Sequence, residues 1–344
     1  MLVSMIQVLV PVLFVLLLGY FAGRKREFDT VQVAGINELT LNFALPASLF
    51  VGIVDIPRAT LLQDGGFVLA VVAALIGIYL IALIVGGVVL RLNSSAAALF
   101  ALGAGFPGTP FFGPAVLGGL FGQSSALAVA STAIVANLIL VPLSVVILEA
   151  AAAGQGSRRR SAASVAAVAV PVGTGSTDPV TIPDYSSRQP AMSAVVVRSL
   201  STAVKRPYVW APVIGLVLVL SGVQVPSLID AMLNLIGQTT SGLSLFVSGL
   251  MLAAYSVKLN AAVAINAALK SLVLPVLMFV LVVLLGVHGP LIREAVVAAA
   301  LPSAVIVPML AAQYKTYQSE AGSSMVLTIV LMMVVVPIFF LIIH

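Results

Sequence analysis

The chain contains no cysteine, which removes thiol catalysis, disulfide scaffolding and thiolate metal sites together. Its two histidines, His288 and His344, are too few for an imidazole metal cluster. Charge is scarce: only 8% of the 344 residues are Asp, Glu, Lys or Arg, against about a quarter in soluble domains. With 61% hydrophobic residues and a mean hydropathy of +1.21, the composition excludes soluble globular, disordered and collagen-like chains. The net charge of +5 points to no nucleic-acid partner, because membrane proteins gather Lys and Arg on cytoplasmic loops. The partner that the composition does require is the lipid bilayer.

What is present is a succession of apolar runs. A helix needs about 20 apolar residues to cross the hydrocarbon core. Ten segments qualify, at roughly 3–23, 33–54, 66–90, 96–119, 125–149, 204–222, 228–255, 260–287, 293–312 and 323–343. The first is followed, not preceded, by Arg24-Lys25-Arg26, so it reads as a retained helix and not a cleaved leader. With both termini outside, thirteen of the sixteen Lys and Arg fall on cytoplasmic loops. Arg58 and Arg293 fall outside, and Lys270 lies within span 8. Asp55, Asp64, Asp230 and Glu294 also read as outer-loop residues. The domain boundaries that follow are a five-span half at 1–149, a low-complexity cytoplasmic linker at 150–203 and a second half at 204–344.

Four landmarks recur between the halves. Pro11-Val12, Ser48-Leu49-Phe50-Val51, Pro107 and Val141-Pro142 are answered by Pro212-Val213, Ser244-Leu245-Phe246-Val247, Pro302 and Val336-Pro337, at offsets of 195 to 201 residues. Five spans is an odd number, so a repeat of five must be inverted in the membrane, the ground plan of alternating-access carriers. The fold class expected is therefore an all-α polytopic membrane protein, ten helices in a 5+5 inverted repeat.

The fourth span of each half is broken. Span 4 reads ALGAGFPGTPFFGPAVLGG, with Pro107, Pro110 and Pro114 in eight residues. Span 9 reads AVVAAALPSAVIVPMLAAQY, with Pro302 and Pro308. Proline removes a backbone donor and clashes with the preceding turn. Non-helical backbone at that depth must be buried in protein or line a cavity. Two interrupted helices at matching repeat positions mark a binding site, where half-helix N-termini offer amides and partial positive charge to an anion.

These residues resemble the auxin efflux carrier family of bacterial transporters, which is similar to the plant PIN auxin exporters. The signatures are INELTLNFALPASLF, FPGTPFFGP, SLFVSGLMLA and ALPSAVIVPMLAAQY, with Glu149 closing span 5. The resemblance covers all ten spans but not the linker. It implies a sodium/proton antiporter-like crossover fold, with a scaffold of helices 1, 2, 6 and 7 and a transport domain of helices 3–5 and 8–10. Broken helices 4 and 9 cross in the transport domain. It further implies elevator-type carriage of a small organic anion, such as malonate or an auxin-like acid, across the plasma (inner) membrane. A homodimer through the scaffold is compatible with it; an enzyme activity and a cofactor are not expected. One departure bears on the substrate. The family usually places Asn after the span 4 proline and a polar amide in the span 9 break, where this chain has Gly108 and Ile306.

The candidate site comprises Pro107, Gly108, Thr109 and Pro110 at the first break, Pro302, Ser303 and Ile306 at the second, and Asn137, Gln238 and Lys270 around them. Lys270 lies about ten residues into span 8, roughly 15 Å from the helix end, too deep for easy snorkelling. It either balances a substrate carboxylate or a coupled proton, or serves as a structural cation on the carbonyls of a broken helix. Asn137 orients substrate or, as buried amides more often do, braces a neighbouring helix. Asn42 is placed to satisfy carbonyls freed by Pro46. Gln238, in the polar run Gln238-Thr239-Thr240-Ser241, has no cheap local hydrogen bond and so reads as lining the pathway. Glu38 reaches the interface and reads as solvated. The spans carry no carboxylate pair, which disfavours sodium coordination by side chains. Proton coupling through the substrate's carboxyl, and uniport driven by membrane potential, both stay open. The missing Asn residues keep a second reading in view, an ion-coupled carrier of a neutral solute.

Overall fold

A computed structural model describes residues 2–55, 58–59, 65–152, 207–254 and 258–343. Among these the secondary structure is helical, apart from one antiparallel bridge. The helices are α1 (Leu2–Arg24), α2 (Val31–Val54), α3 (Gly65–Val89), α4 (Ser94–Gly105), α5 (Thr109–Phe121) and α6 (Leu127–Ala152). After the central segment come α7 (Pro207–Ser221), α8 (Ser227–Ala253), α9 (Ala261–Leu284), α10 (Pro290–Ala300), α11 (Ile306–Gln313) and α12 (Gln318–Ile342). Six of them, α2, α3, α6, α8, α9 and α12, are long and apolar enough to cross a membrane by length and composition. This is a polytopic, all-helical membrane protein. Spans 4 and 9 are each split in two, as α4/α5 and α10/α11, at the prolines that the sequence singles out.

Proline also shapes the unbroken helices. Thr40–Ala44, Ala136–Leu140 and Leu269–Val273 are each a single π turn, and each ends two residues before a proline: Pro46, Pro142 and Pro275. A proline inside a helix loses its amide and crowds the carbonyl four residues earlier. Those carbonyls belong to Asn42, Leu138 and Ser271, the middle residue of each π turn. The wider turn relieves the clash without ending the helix. Pro46 is therefore accommodated by the turn itself; among the described residues the Asn42 side chain makes no hydrogen bond, contrary to the sequence expectation.

Two helix pairs pack through glycine. α1 lies along the second half of α8, and α7 along the second half of α2. A Cβ on Gly19 would stand 2.1 Å from the Phe246 carbonyl oxygen, and one on Gly215 would stand 3.3 Å from that of Phe50. Gly19 and Gly215 are 196 residues apart, and so are Phe50 and Phe246. In an apolar solvent such small residues let helices approach closely enough for dispersion to hold them. α3, α4, α6, α9, α10 and α12 form a second group, with α5 touching both.

The interior belongs to the broken helices. Ser95–Gly105 of α4 and Glu294–Ala300 of α10 are buried throughout. Phe100, Phe106, Phe111, Phe112 and Tyr79 are among the largest fully buried side chains. Two boundaries differ from the sequence reading. α6 continues through Ala152, past the expected linker start at 150, while the rest of the linker, with Arg158-Arg159-Arg160, lies outside the described residues, as does Asp64. α10 begins at Pro290 on a Gly289 cap with φ +75°, so Glu294 is a fully buried helical residue and not a loop charge.

Gly249→Ala tests the close packing, since its Cβ would meet the Leu16 carbonyl oxygen at 2.1 Å. The variant is expected to lose about 1–3 kcal/mol of stability, the cost of overpacking. Thermal unfolding in detergent should show a lowered midpoint, whereas Gly35→Ala, with nothing within 4 Å, should show none.

Candidate functional site: the meeting of two broken helices

The two breaks satisfy each other. The Gly108 amide donates to the Pro302 carbonyl at 2.7 Å, and the Ala304 amide to the Phe106 carbonyl at 3.2 Å. Between them Pro107 and Ser303 form the antiparallel bridge. Side chains complete the arrangement. Thr109 Oγ1 donates to the Pro107 carbonyl at 3.2 Å, and Thr328 Oγ1 accepts from the Ser303 amide at 3.1 Å. Thr328 sits on α12, so the second break is tied to that helix. Pro107, Gly108, Thr109, Pro110, Pro302, Ser303 and Ile306 are all buried, and the structure brings these seven expected site residues together.

Each helical half ends here with a different pole. α5 starts at Thr109 and α11 at Ile306. Pro110 and Pro308 carry no N–H, and the amides of Phe111, Phe112 and Val307 bond to the Gly108 and Ala304 carbonyls, so among the described residues Thr109 and Ile306 keep the unspent first-turn amides. α4 and α10 end at Gly105 and Ala300, presenting carbonyls. One face of α9 gives a donor to each of these halves, to the end of α10 and to a carbonyl inside α4. Asn266 Nδ2 donates to the Phe100 carbonyl of α4 at 2.6 Å, and Lys270 Nζ to the Ala299 carbonyl of α10 at 2.6 Å. These residues are four apart, hence on one helix face. Lys270 is fully buried, and a cation at a helix C-terminus is favourably placed in the field of its dipole. An ammonium carries three donors, and among the described residues Ala299 accounts for one.

The remaining expected residues divide. Asn137 is fully buried in the π turn of α6, where Nδ2 donates to its own helix at the Ala133 carbonyl, 2.8 Å away, and among the described residues Oδ1 has no hydrogen-bond partner. Gln238 stands apart: it is exposed and donates to Asn234 Oδ1 at 3.3 Å. From the same helix the buried hydroxyls include Thr240 and Ser244. Glu38 is exposed, as its sequence position suggests. Sequence reasoning misses Asn266, although its i, i+4 spacing to Lys270 is a usable signal. Among the described residues no group of three or more His, Asp or Glu side chains gathers to hold a metal. Away from the crossing, an open pocket of about 510 Å³ at the end of α2 holds Asp55, Arg58 and Asp230. Partial burial, then the charge of Asp230, raises the Asp55 carboxyl above its ordinary range.

Gly108 explains its own lack of a side chain. A Cβ there would fall 2.8 Å from the Phe112 ring and 3.1 Å from the Pro302 oxygen. The fully buried Phe112 ring thus occupies the volume into which a residue-108 side chain would extend.

Long apolar helices enclosing a pair of buried, interrupted ones describe an integral membrane transport protein. The comparison with protein families agrees: the chain belongs to the membrane transport protein family, the auxin efflux carriers, whose model matches residues 4–340. It is 29% identical to the transporter YfdV of Escherichia coli K12, described as uncharacterized, over 340 residues, 98% of this chain and 97% of that protein. The Shigella flexneri YfdV matches equally. A probable auxin efflux carrier component 9 of Oryza sativa is 29% identical over 182 residues, 51% of this chain and 43% of that one.

Gly108→Ala should lower the thermal midpoint, and adding Phe112→Leu should restore a good part of the loss. Strong non-additivity of the pair, about 0.5 kcal/mol or more in a double-mutant cycle, is expected of residues sharing one volume. Additive effects would show that the ring does not occupy that space.

Proposed function

We propose that this protein is a secondary carrier of a small organic anion, a carboxylate such as malonate or an auxin-like acid, held where the broken helices cross. The observation that carries the reading is the pairing of two half-helix N-termini with a fully buried lysine. First-turn amides at Thr109 and Ile306 suit a carboxylate. Lys270 supplies the balancing charge, with two donors beyond the one given to Ala299. Ser303 and Pro110 shape the floor of the site, and Asn137 offers an acceptor to a protonated or hydroxyl-bearing solute.

In this reading the halves are inverted repeats of five spans, and the matched contacts Gly19–Phe246 and Gly215–Phe50 support it. Spans 1, 2, 6 and 7 act as the scaffold, and spans 3–5 and 8–10 move as the elevator that alternates access. Both termini face outward from the inner membrane and the central linker lies in the cytoplasm, because that orientation puts thirteen of the sixteen cationic side chains inside.

A second reading has its own observation. With Gly108 backed by the Phe112 ring, no side-chain amide is available at that position to grip a carboxylate. A neutral solute carried with a coupled ion fits such a site, and a competition experiment separates the two.

Purified protein in liposomes, challenged with mono- and dicarboxylates, should give a saturable current or labelled flux for at least one acid. Lys270→Ala should reduce that transport by about tenfold or more. Transport of neutral solutes alone, insensitive to unlabelled carboxylates, would select the second reading. A reporter active only outside the cytoplasm and fused after His344 should be active; a cytoplasmic signal would overturn the ten-span orientation.

A further inference from the structure

A small cavity lies against the crossing. It is lined by Asn37 and Thr40 of α2 and Ser244 and Val247 of α8 on one side, and by Phe111 of α5, Val305 and Met309 on the other. It has about 10 Å³ for the centre of a water, room for a single molecule. Its position is specific. Phe111 is the third residue of α5 and Val305 is the N-cap of α11, so both positive helix poles border it.

The wall opposite those poles carries three polar side chains, Asn37, Thr40 and Ser244, beside Val247. The Ser244 side chain is almost wholly buried, with a relative exposure of 2%, and among the described residues its Oγ has no hydrogen-bond partner. Thr240, one turn earlier on the same face, is 1% exposed and equally without a partner at Oγ1. Serine and threonine in a helix ordinarily bond back to the carbonyl four residues earlier. Ser248 does so, donating to the Ser244 carbonyl at 2.6 Å, and Thr40 does so onto Ile36 at 2.8 Å. Ser244 and Thr240 do not. An unspent buried hydroxyl is unfavourable, and a ligand or water that bonds to it offsets that cost.

We infer that the Ser244 hydroxyl is the scaffold-side hydrogen-bond partner of the carried solute, and that it sets specificity at the end of the solute remote from the helix poles. The inference rests on the reading of the crossing as the solute site and adds the wall that faces it. The cavity has room for one water only because the two walls are closed on each other; the solute enters when α5 and α11 move away from α8. Thr240 extends the same polar face along the line of α8, so a solute leaving Ser244 meets a second hydroxyl.

The test exploits the absence of cysteine, so that Ser244→Cys gives the protein a single thiol. The variant is reconstituted and modified with a charged methanethiosulfonate, with malonate, acetate or indole-3-acetate present at saturation. Any of the three that the wild type carries should slow modification by about fivefold or more, while the exposed Lys258→Cys reacts at an unchanged rate. Ser244→Ala supplies the second readout and removes any dependence on the thiol variant folding. It should raise the half-saturating concentration of a carried acid by about fivefold, with the maximal rate within about twofold. An unprotected thiol in Ser244→Cys together with unchanged Ser244→Ala kinetics, in protein that carries a probe acid, overturns the inference and leaves the carrier reading standing. If the wild type carries none of the three acids and none protects, both fall.

Discussion

Everything in this molecule answers to one constraint: in hydrocarbon there is no water to take up a backbone hydrogen bond. Prolines within the spans challenge that rule, and the chain meets the challenge locally. Where one proline sits in a long helix, at Pro46, Pro142 or Pro275, a π turn opens just before it. Where the helix breaks outright, at Pro107-Gly108-Thr109-Pro110 and at Pro302, the freed amides and carbonyls of one break bond to those of the other. Neither half of the chain could tolerate its own break alone. The mutual satisfaction ties residues near 107 to residues near 303 and fixes where the centre of the protein lies.

That solution leaves poles. Two helix N-termini and two helix C-termini meet at the centre, and the chain treats them differently. α9 gives each carbonyl-ended half a donor, Lys270 to Ala299 at the end of α10 and Asn266 to Phe100, five residues inside α4. The amide ends receive no side-chain cap. The asymmetry also runs between the halves. The residue 195 positions before Lys270 is Leu75, whose carbonyl lies near Gly105 at the end of α4. The second half thus supplies the charge and the first half supplies apolar packing, around a crossing to which both contribute equally. A fully buried cation beside two helix N-termini, with the Thr109 and Ile306 amides unspent among the described residues, favours negative charge, which is the physical core of the anion reading.

The helical, membrane-spanning character and the two breaks are legible in the sequence, because hydropathy and proline report whether a residue lies in a span and where a span is interrupted. Facing is less legible. Gln238 and Ser244 share one apolar run, yet six residues turn a helix by about 240°, so one points outward and the other into the core. Unsatisfied polarity alone points to Gln238; azimuth favours Ser244. Asn266 escapes notice because an isolated amide in an Ala-rich stretch carries no motif, although its spacing to Lys270 places both on one face. Glu294 belongs to a helix because Gly289-Pro290 is a helix-start signal, which outweighs the loop character suggested by the charges beside it. The widened turn before Pro46 does without a side chain what Asn42 is expected to do. The Phe112 ring behind Gly108 is invisible to spacing, since it depends on where the helix resumes after the break.

The central claim is that the carried anion sits at the helix poles of the crossing, and seeing it there is the direct test. The measurement is a cryo-EM map of the protein saturated with whichever acid gives saturable transport in liposomes. Solute density is expected against the first turns of α5 and α11, near the amides of Thr109 and Ile306 and on the side facing Ser244. Density confined to the open pocket of Asp55, Arg58 and Asp230, with an empty crossing, would contradict it.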